Sequence, residues 1–178
     1  MAEPIHILLV AGVAGGAATL RPLAHTLAGK GASVKMAPAP LLRLSSVEDE
    51  AAPLRERILA GPDRLTLFGY SMGGLIAACA LDDPRVACRV DNFVTYGTPF
   101  DGTFGAWPGW RTLRRVKRII NAPARHWAFT AVNGRGDWVA PFPQKAVPKA
   151  CAVGTRHDHS DLITDPELQA FIARLLLR

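Results

Sequence analysis

The chain has 178 residues, 49% hydrophobic and 20% charged, and its 21 basic and 15 acidic side chains give a formal net charge of +6. This length and balance fit one globular domain over residues 1–178 with a single core, and no apolar run approaches the roughly 20 residues that a bilayer-spanning helix needs. Three cysteines (Cys79, Cys88 and Cys151), odd in number and widely spaced, argue against a disulfide framework and against a zinc site.

The N-terminus, MAEPIHILLVAG, has no basic leader, and its apolar run opens at Ile5 as a strand does. No signal peptide is legible, so the cytoplasm is the default expectation; a secreted mature form reads the same way. IHILLV (5–10) is predicted as a buried strand. A helix is predicted over 19–31, with Leu20, Leu23, Ala24 and Leu27 on one face and Gly29 and Gly31 at its end. Strand SVKMA (33–37) precedes a loop and a helix over 47–60, which carries acids in its first turn and an awkward Pro53. RLTLF (64–68) is a third strand, followed by a helix from Met72. RVDNFVTY (89–96) is a strand, then a Gly/Pro/aromatic loop leads to a basic helix over 111–122. HWAFTAVN (126–133) and KACAVG (149–154) are the last strands, and an amphipathic helix over 165–177 closes the chain. Six short, mostly continuous apolar strands alternating with helices imply a parallel sheet covered on both faces. Ligands bind such sheets at the carboxyl ends of the strands.

One strand-to-helix junction carries chemistry. Gly69-Tyr70-Ser71-Met72-Gly73 fits G-x-S-x-G. Glycines let so sharp a turn close against the sheet, and the helix N-terminus supplies free backbone N–H groups beside the serine Oγ. The bland reading is a tight turn with a serine N-cap. Partners in the order Ser, acid, His decide between the two. His6 and His25 precede Ser71, and His126 opens a strand at the wrong end of the sheet. His157 and His159 lie after the last strand, where a general base belongs. Asp137 lies in the loop after the preceding strand, and Asp101, after the 89–96 strand, is the runner-up. A carboxylate there accepts the second N–H of the histidine and stabilises the imidazolium.

With GYSMGG (69–74), YGTPFDGT (96–103), VNGRGDWVAP around Asp137 and HSDLI (159–163), the chain resembles the α/β-hydrolase superfamily, in particular small bacterial lipases and esterases. The resemblance implies a compact α/β-hydrolase fold, with a mostly parallel central sheet of about six strands and helices on both faces. It favours His159, which small residues and then Leu162 and Ile163 follow, over His157. The oxyanion donors implied are the backbone N–H groups of Val13 and Met72, although Ala11 stands where the family commonly has histidine. The expected activity is cleavage of carboxylic esters through Ser71, His159 and Asp137, with no metal or cofactor. A thioesterase or acyltransferase using the same triad is the alternative.

The expected partner is a small ester or lipid. Phe100, Phe104, Trp107 and Trp110 lie in the loop flanking the catalytic edge. Phe100, Phe104 and Trp107 are candidates for an apolar acyl pocket, and capping the core is the equal alternative. On the basic helix, Leu113, Val116 and Ile120 are expected inward and Arg111, Arg114, Arg115, Lys117 and Arg118 outward. A solvated surface is the favoured reading of that face, and weak contact with an anionic membrane the other. A non-catalytic membrane- or nucleic-acid-binding module built on this patch is a distant third function. No nucleic-acid partner is expected, and nucleotide binding ranks low, since the chain has neither a P-loop nor G-x-G-x-x-G. Arg135-Gly136-Asp137 reads as coincidence, because the aspartate already has a place in the triad.

Overall fold

The computed structural model describes residues 3–13, 16–38, 46–102, 109–123, 125–140 and 142–178. Six strands form one sheet: β1 (His6–Val10), β2 (Ser33–Met36), β3 (Leu65–Tyr70), β4 (Val90–Tyr96), β5 (Ala128–Gly134) and β6 (Ala152–Thr155). Their order is β2-β1-β3-β4-β5-β6, and every neighbouring pair is parallel. The chain therefore turns one way from β1 to β2 and the other way from β3 onward. The β1/β3 boundary is the topological switch point, where crossovers to opposite sides leave a crevice at the strand ends.

Side-chain alternation divides the core in two. Leu8, Val10, Leu65, Leu67, Phe93 and Phe129 face one side of the sheet, while Ile7, Leu9, Phe68, Tyr70, Val94, Tyr96 and Val132 face the other. Helices α2 (Val47–Leu59), α3 (Met72–Ala80), α4 (Pro84–Ala87) and α5 (Trp110–Ile120) bury their apolar stripes against the first set. Helices α1 (Arg21–Ala28), α6 (Asp161–Thr164) and α7 (Pro166–Leu176) cover the second. All nine residues of α3 are buried, as suits a helix packed between the sheet and both α2 and α5.

Several boundaries move for identifiable reasons. The first helix begins at Arg21, not 19, because Pro22 fits only the first turn; residues Gly16–Leu20 form a 3-10 turn instead. Pro53 does not delay α2: a capping box, with the Ser46 hydroxyl accepting from the Asp49 N–H and the Asp49 carboxylate accepting from the Ser46 N–H, starts the helix at Val47. Lys149–Cys151 is a 3-10 turn, and β6 begins only at Ala152. The short helices α4 and α6, each four residues, carry too few positions to show a period in sequence. On α5, Val116, Ile119 and Ile120 are buried with Leu113 packed beside them. Of its bases, Arg115 and Arg118 reach Asp82 at 2.6 and 3.6 Å, and Arg114 lies 3.9 Å over the Trp110 ring. Cys79 and Cys151 are buried and Cys88 is exposed; all three are free thiols. No helix among the described residues is long and apolar enough to cross a membrane.

Candidate active site

Strand β3 runs without interruption to Tyr70, two residues further than the sequence pattern reaches, and the turn into α3 falls entirely on Ser71. Ser71 has φ 53° and ψ −127°, the only positive φ outside glycine among the described residues. Such a conformation costs a side-chain-bearing residue about 1–3 kcal/mol and persists only when its surroundings enforce it. Here the Ser71 N–H donates to the Tyr96 carbonyl at 2.8 Å. The approach is equally tight behind the turn. A Cβ on Gly73 would overlap the Val10 and Ala11 carbonyls, one on Gly74 the Thr98 side chain, and one on Gly69 the Gly74 backbone. The serine makes no capping hydrogen bond to α3, which removes the capped-turn reading.

Its Oγ lies instead 2.9 Å from His159 Nε2, and His159 Nδ1 lies 2.9 Å from Asp137 Oδ2. A carboxylate only accepts, so Nδ1 carries the imidazole proton and Nε2 is left to accept from the serine hydroxyl. The Asp137 side chain is fully buried, and the His159 side chain is 19% exposed. The other aspartate oxygen, Oδ1, accepts the N–H groups of Val139 and Ala140, both at 2.9 Å. Asp137 therefore closes its own Gly-rich turn and holds the histidine at once. Asn133 secures that loop from below, its amide donating to the Ala140 carbonyl at 2.9 Å.

The two runner-up residues are occupied elsewhere. Asp101 is exposed, and its carboxylate accepts the N–H groups of Lys145 and Ala146 at 2.6 and 2.8 Å. His157 places Nε2 3.0 Å from the Asp165 carboxylate at the start of α7. Hydrogen bonds from the Leu168 and Glu167 N–H groups, with His157 adding its share, hold Asp165 below the usual carboxylate range.

Met72 is the first residue of α3, so its N–H belongs to the first turn, which has no intrahelical acceptor. Val13 follows Gly12 beyond β1 and is 44% exposed. The β1 loop borders the serine directly: a Cβ built on Gly12 would stand 2.9 Å from Ser71 Cβ and 3.3 Å from its Oγ. Of the two readings of Phe100, acyl pocket or core cap, its packing matches the core cap. It is 2% exposed and packs edge-to-face on Phe129 at 5.8 Å, as a core residue. Phe104 and Trp107 lie outside the described residues.

Three supporting residues escaped sequence reasoning. Gly97 has φ +59°, and a Cβ there would come within 2.8 Å of His159 Nδ1 and 3.2 Å of Asp137 Oδ2. It is a glycine because the imidazole and the carboxylate need the space. Tyr70 and Tyr96 donate from their hydroxyls to the carbonyls of His159 and Asp158. For Gly97, its place in the GTP segment was the available signal; for the tyrosines there was none.

A six-stranded parallel sheet flanked by helices, with a strained serine at its switch point and a histidine and an aspartate on later strand-end loops, is an α/β-hydrolase arrangement. The chain belongs to the α/β-hydrolase family, whose model matches residues 45–144. Among solved structures, an α/β-hydrolase enzyme (MGS-MChE2) from a sediment metagenome of the Mar Chica lagoon, Morocco, has a TM-score of 0.66 at 22% identity, covering 97% of this chain and 90% of that one. The mature Bacillus licheniformis lipase BlEst2 has a TM-score of 0.68 at 16% identity, covering 98% of this chain and 93% of its own. Aspergillus fumigatus lipase B has a TM-score of 0.71 at 16% identity over 98% of this chain, which spans only 53% of that lipase. At these identities the likeness is one of fold. No curated protein matches the chain in sequence.

Proposed function

We propose that the protein is a serine hydrolase of carboxylic esters, working through Ser71, His159 and Asp137. One observation carries the reading: a strained Ser71 whose Oγ lies 2.9 Å from an imidazole that is itself 2.9 Å from a buried carboxylate. His159 Nε2 takes the proton of the Ser71 hydroxyl as Oγ attacks the ester carbonyl carbon. The carbonyl electron pair moves onto oxygen, and the N–H groups of Met72 and Val13 receive that oxyanion, each worth roughly 3 kcal/mol of barrier in comparable sites. Asp137 stabilises the imidazolium through Nδ1–H. The imidazolium then protonates the departing alkoxide oxygen as the C–O bond breaks, leaving an acyl-serine. Water, losing its proton to Nε2, attacks the acyl carbon; the acid departs and Oγ regains the proton.

Ester cleavage is favoured over acyl transfer to another acceptor because the solved structures of similar fold include lipases. The test is turnover of p-nitrophenyl butyrate by the wild type and by Ser71→Ala. Release of p-nitrophenol by the wild type, lost in the variant, supports the reading; equal release by both removes it.

A further inference from the structure

The chain contains only two tyrosines, Tyr70 and Tyr96, and both hydroxyls end on one short loop. Tyr70 donates to the His159 carbonyl at 2.9 Å and Tyr96 to the Asp158 carbonyl at 2.6 Å. The two residues are register partners at the carboxyl ends of β3 and β4, and their rings stack at 6.2 Å with an interplanar angle of 18°. The Tyr70 ring also lies 5.3 Å from the His159 imidazole. We propose that Tyr70 and Tyr96 are positioning residues for His159, each gripping the serine turn through its backbone and the histidine loop through its hydroxyl.

The backbone half of that grip is explicit. Tyr70 precedes Ser71 in the chain, and the Tyr96 carbonyl accepts the Ser71 N–H at 2.8 Å. Two rigid rings thus span the gap between nucleophile and base, each with only two side-chain torsions to freeze. The loop needs such struts, because apart from the His159 imidazole its other hydrogen bonds among the described residues stay within its own segment. Among the described residues, the Asp158 N–H donates to the Asp161 carboxylate, the Asp161 N–H donates back to the Asp158 carbonyl, and His157 meets Asp165. Those contacts shape the loop but do not locate it against β3.

The chemistry of the site agrees. The surrounding core is Phe68, Val94 and Val132, where phenylalanine would fill the same volume without a buried hydroxyl to satisfy. Tyr70 and Tyr96 are 4% and 0% exposed, so each hydroxyl is kept at a cost that only its hydrogen bond offsets. Burial, with the Asp137 charge adding to it, pushes the Tyr70 hydroxyl up to about 12 and Tyr96 higher still. Both remain donors wherever the histidine works.

This proposal rests on the triad reading, and the experiment separates the two. Tyr70→Phe, Tyr96→Phe and the double variant keep the rings and remove only the hydroxyls. Active sites are titrated with a fluorophosphonate probe, and kcat and KM for p-nitrophenyl butyrate are recorded well below each unfolding temperature. Each single variant is expected to lose about ten-fold in kcat, and the double about a hundred-fold, with KM held within about two-fold. Phe93→Leu is the control. It loosens packing against Trp127 and Phe129 without touching the loop, and is expected to lose stability while keeping kcat.

Tyrosine variants with wild-type kcat, a loss that falls on KM rather than kcat, or behaviour matching Phe93→Leu overturn the proposal. If the double variant does not fold, the two single variants decide; single variants that do not fold make the hydroxyls structural and overturn it as well. A wild type that neither labels nor turns over removes the triad reading instead.

Discussion

Asp137 divides its two oxygens between two tasks. Oδ1 accepts two N–H groups of its own turn, and Oδ2 holds His159. Closing its own turn and holding the histidine are compatible tasks for this aspartate: an oxygen pinned by the turn aims its twin at the imidazole. Replacing the carboxylate by an amide of the same shape keeps the volume and removes the charge. Asp137→Asn and His159→Ala are each expected to lower kcat for p-nitrophenyl butyrate by roughly 1000-fold or more. Asp101→Asn loosens only the ties to Lys145 and Ala146, and His157→Ala only the contact with Asp165, so both are expected to keep most of the wild-type kcat. A larger loss in either of these than in its counterpart contradicts the assignment.

Each element contributes the end that faces the site, and its local chemistry says why. Helix α3 is apolar on every side and packs so closely that its first turn admits only glycine at positions 73 and 74. Helix α2, on the same face, is held by its capping box. Ser46→Ala is expected to cost about 1 kcal/mol, read as a lower urea midpoint at unchanged slope, with kcat unaltered. The sheet was legible in the sequence because its strands are buried on both faces and read as unbroken apolar runs. Ends were less legible. The start of α1 turned on Pro22, whereas α2 starts at Val47 as its sequence predicts, and β3 runs on through Gly69 and Tyr70, which the sequence pattern assigns to the serine motif. Ser71 and its partners were legible through chain order on successive strand-end loops. Phe100 was ambiguous, because burial against Phe129, 29 residues away, leaves no local trace.

At the scale of the whole molecule, the parallel sheet gathers residues that are far apart in the chain. The switch point brings the β1 loop beside Ser71, and the loops after β5 and β6 bring Asp137 and His159. The tyrosine contacts span 89 and 62 residues and end on backbone atoms, which no sequence motif records. They tie the global fold to alkaline pH. Because the native Tyr70 hydroxyl titrates near 12 and an unfolded one near about 10, the unfolded chain loses protons first as pH rises. The contribution of Tyr70 to stability is thus full below pH of about 10 and is lost by about 12, with Tyr96 acting in the same direction. With two tyrosines in the chain, phenolate absorbance is expected to stay flat through pH 10 and to rise only together with loss of the far-ultraviolet circular dichroism signal. Ser71 as nucleophile is tested most directly by peptide mapping after incubation with a fluorophosphonate probe. One adduct per chain is expected, on Ser71 and greatly slowed in His159→Ala; an unlabelled wild type, or labelling elsewhere at the same rate in both proteins, would contradict the role of Ser71.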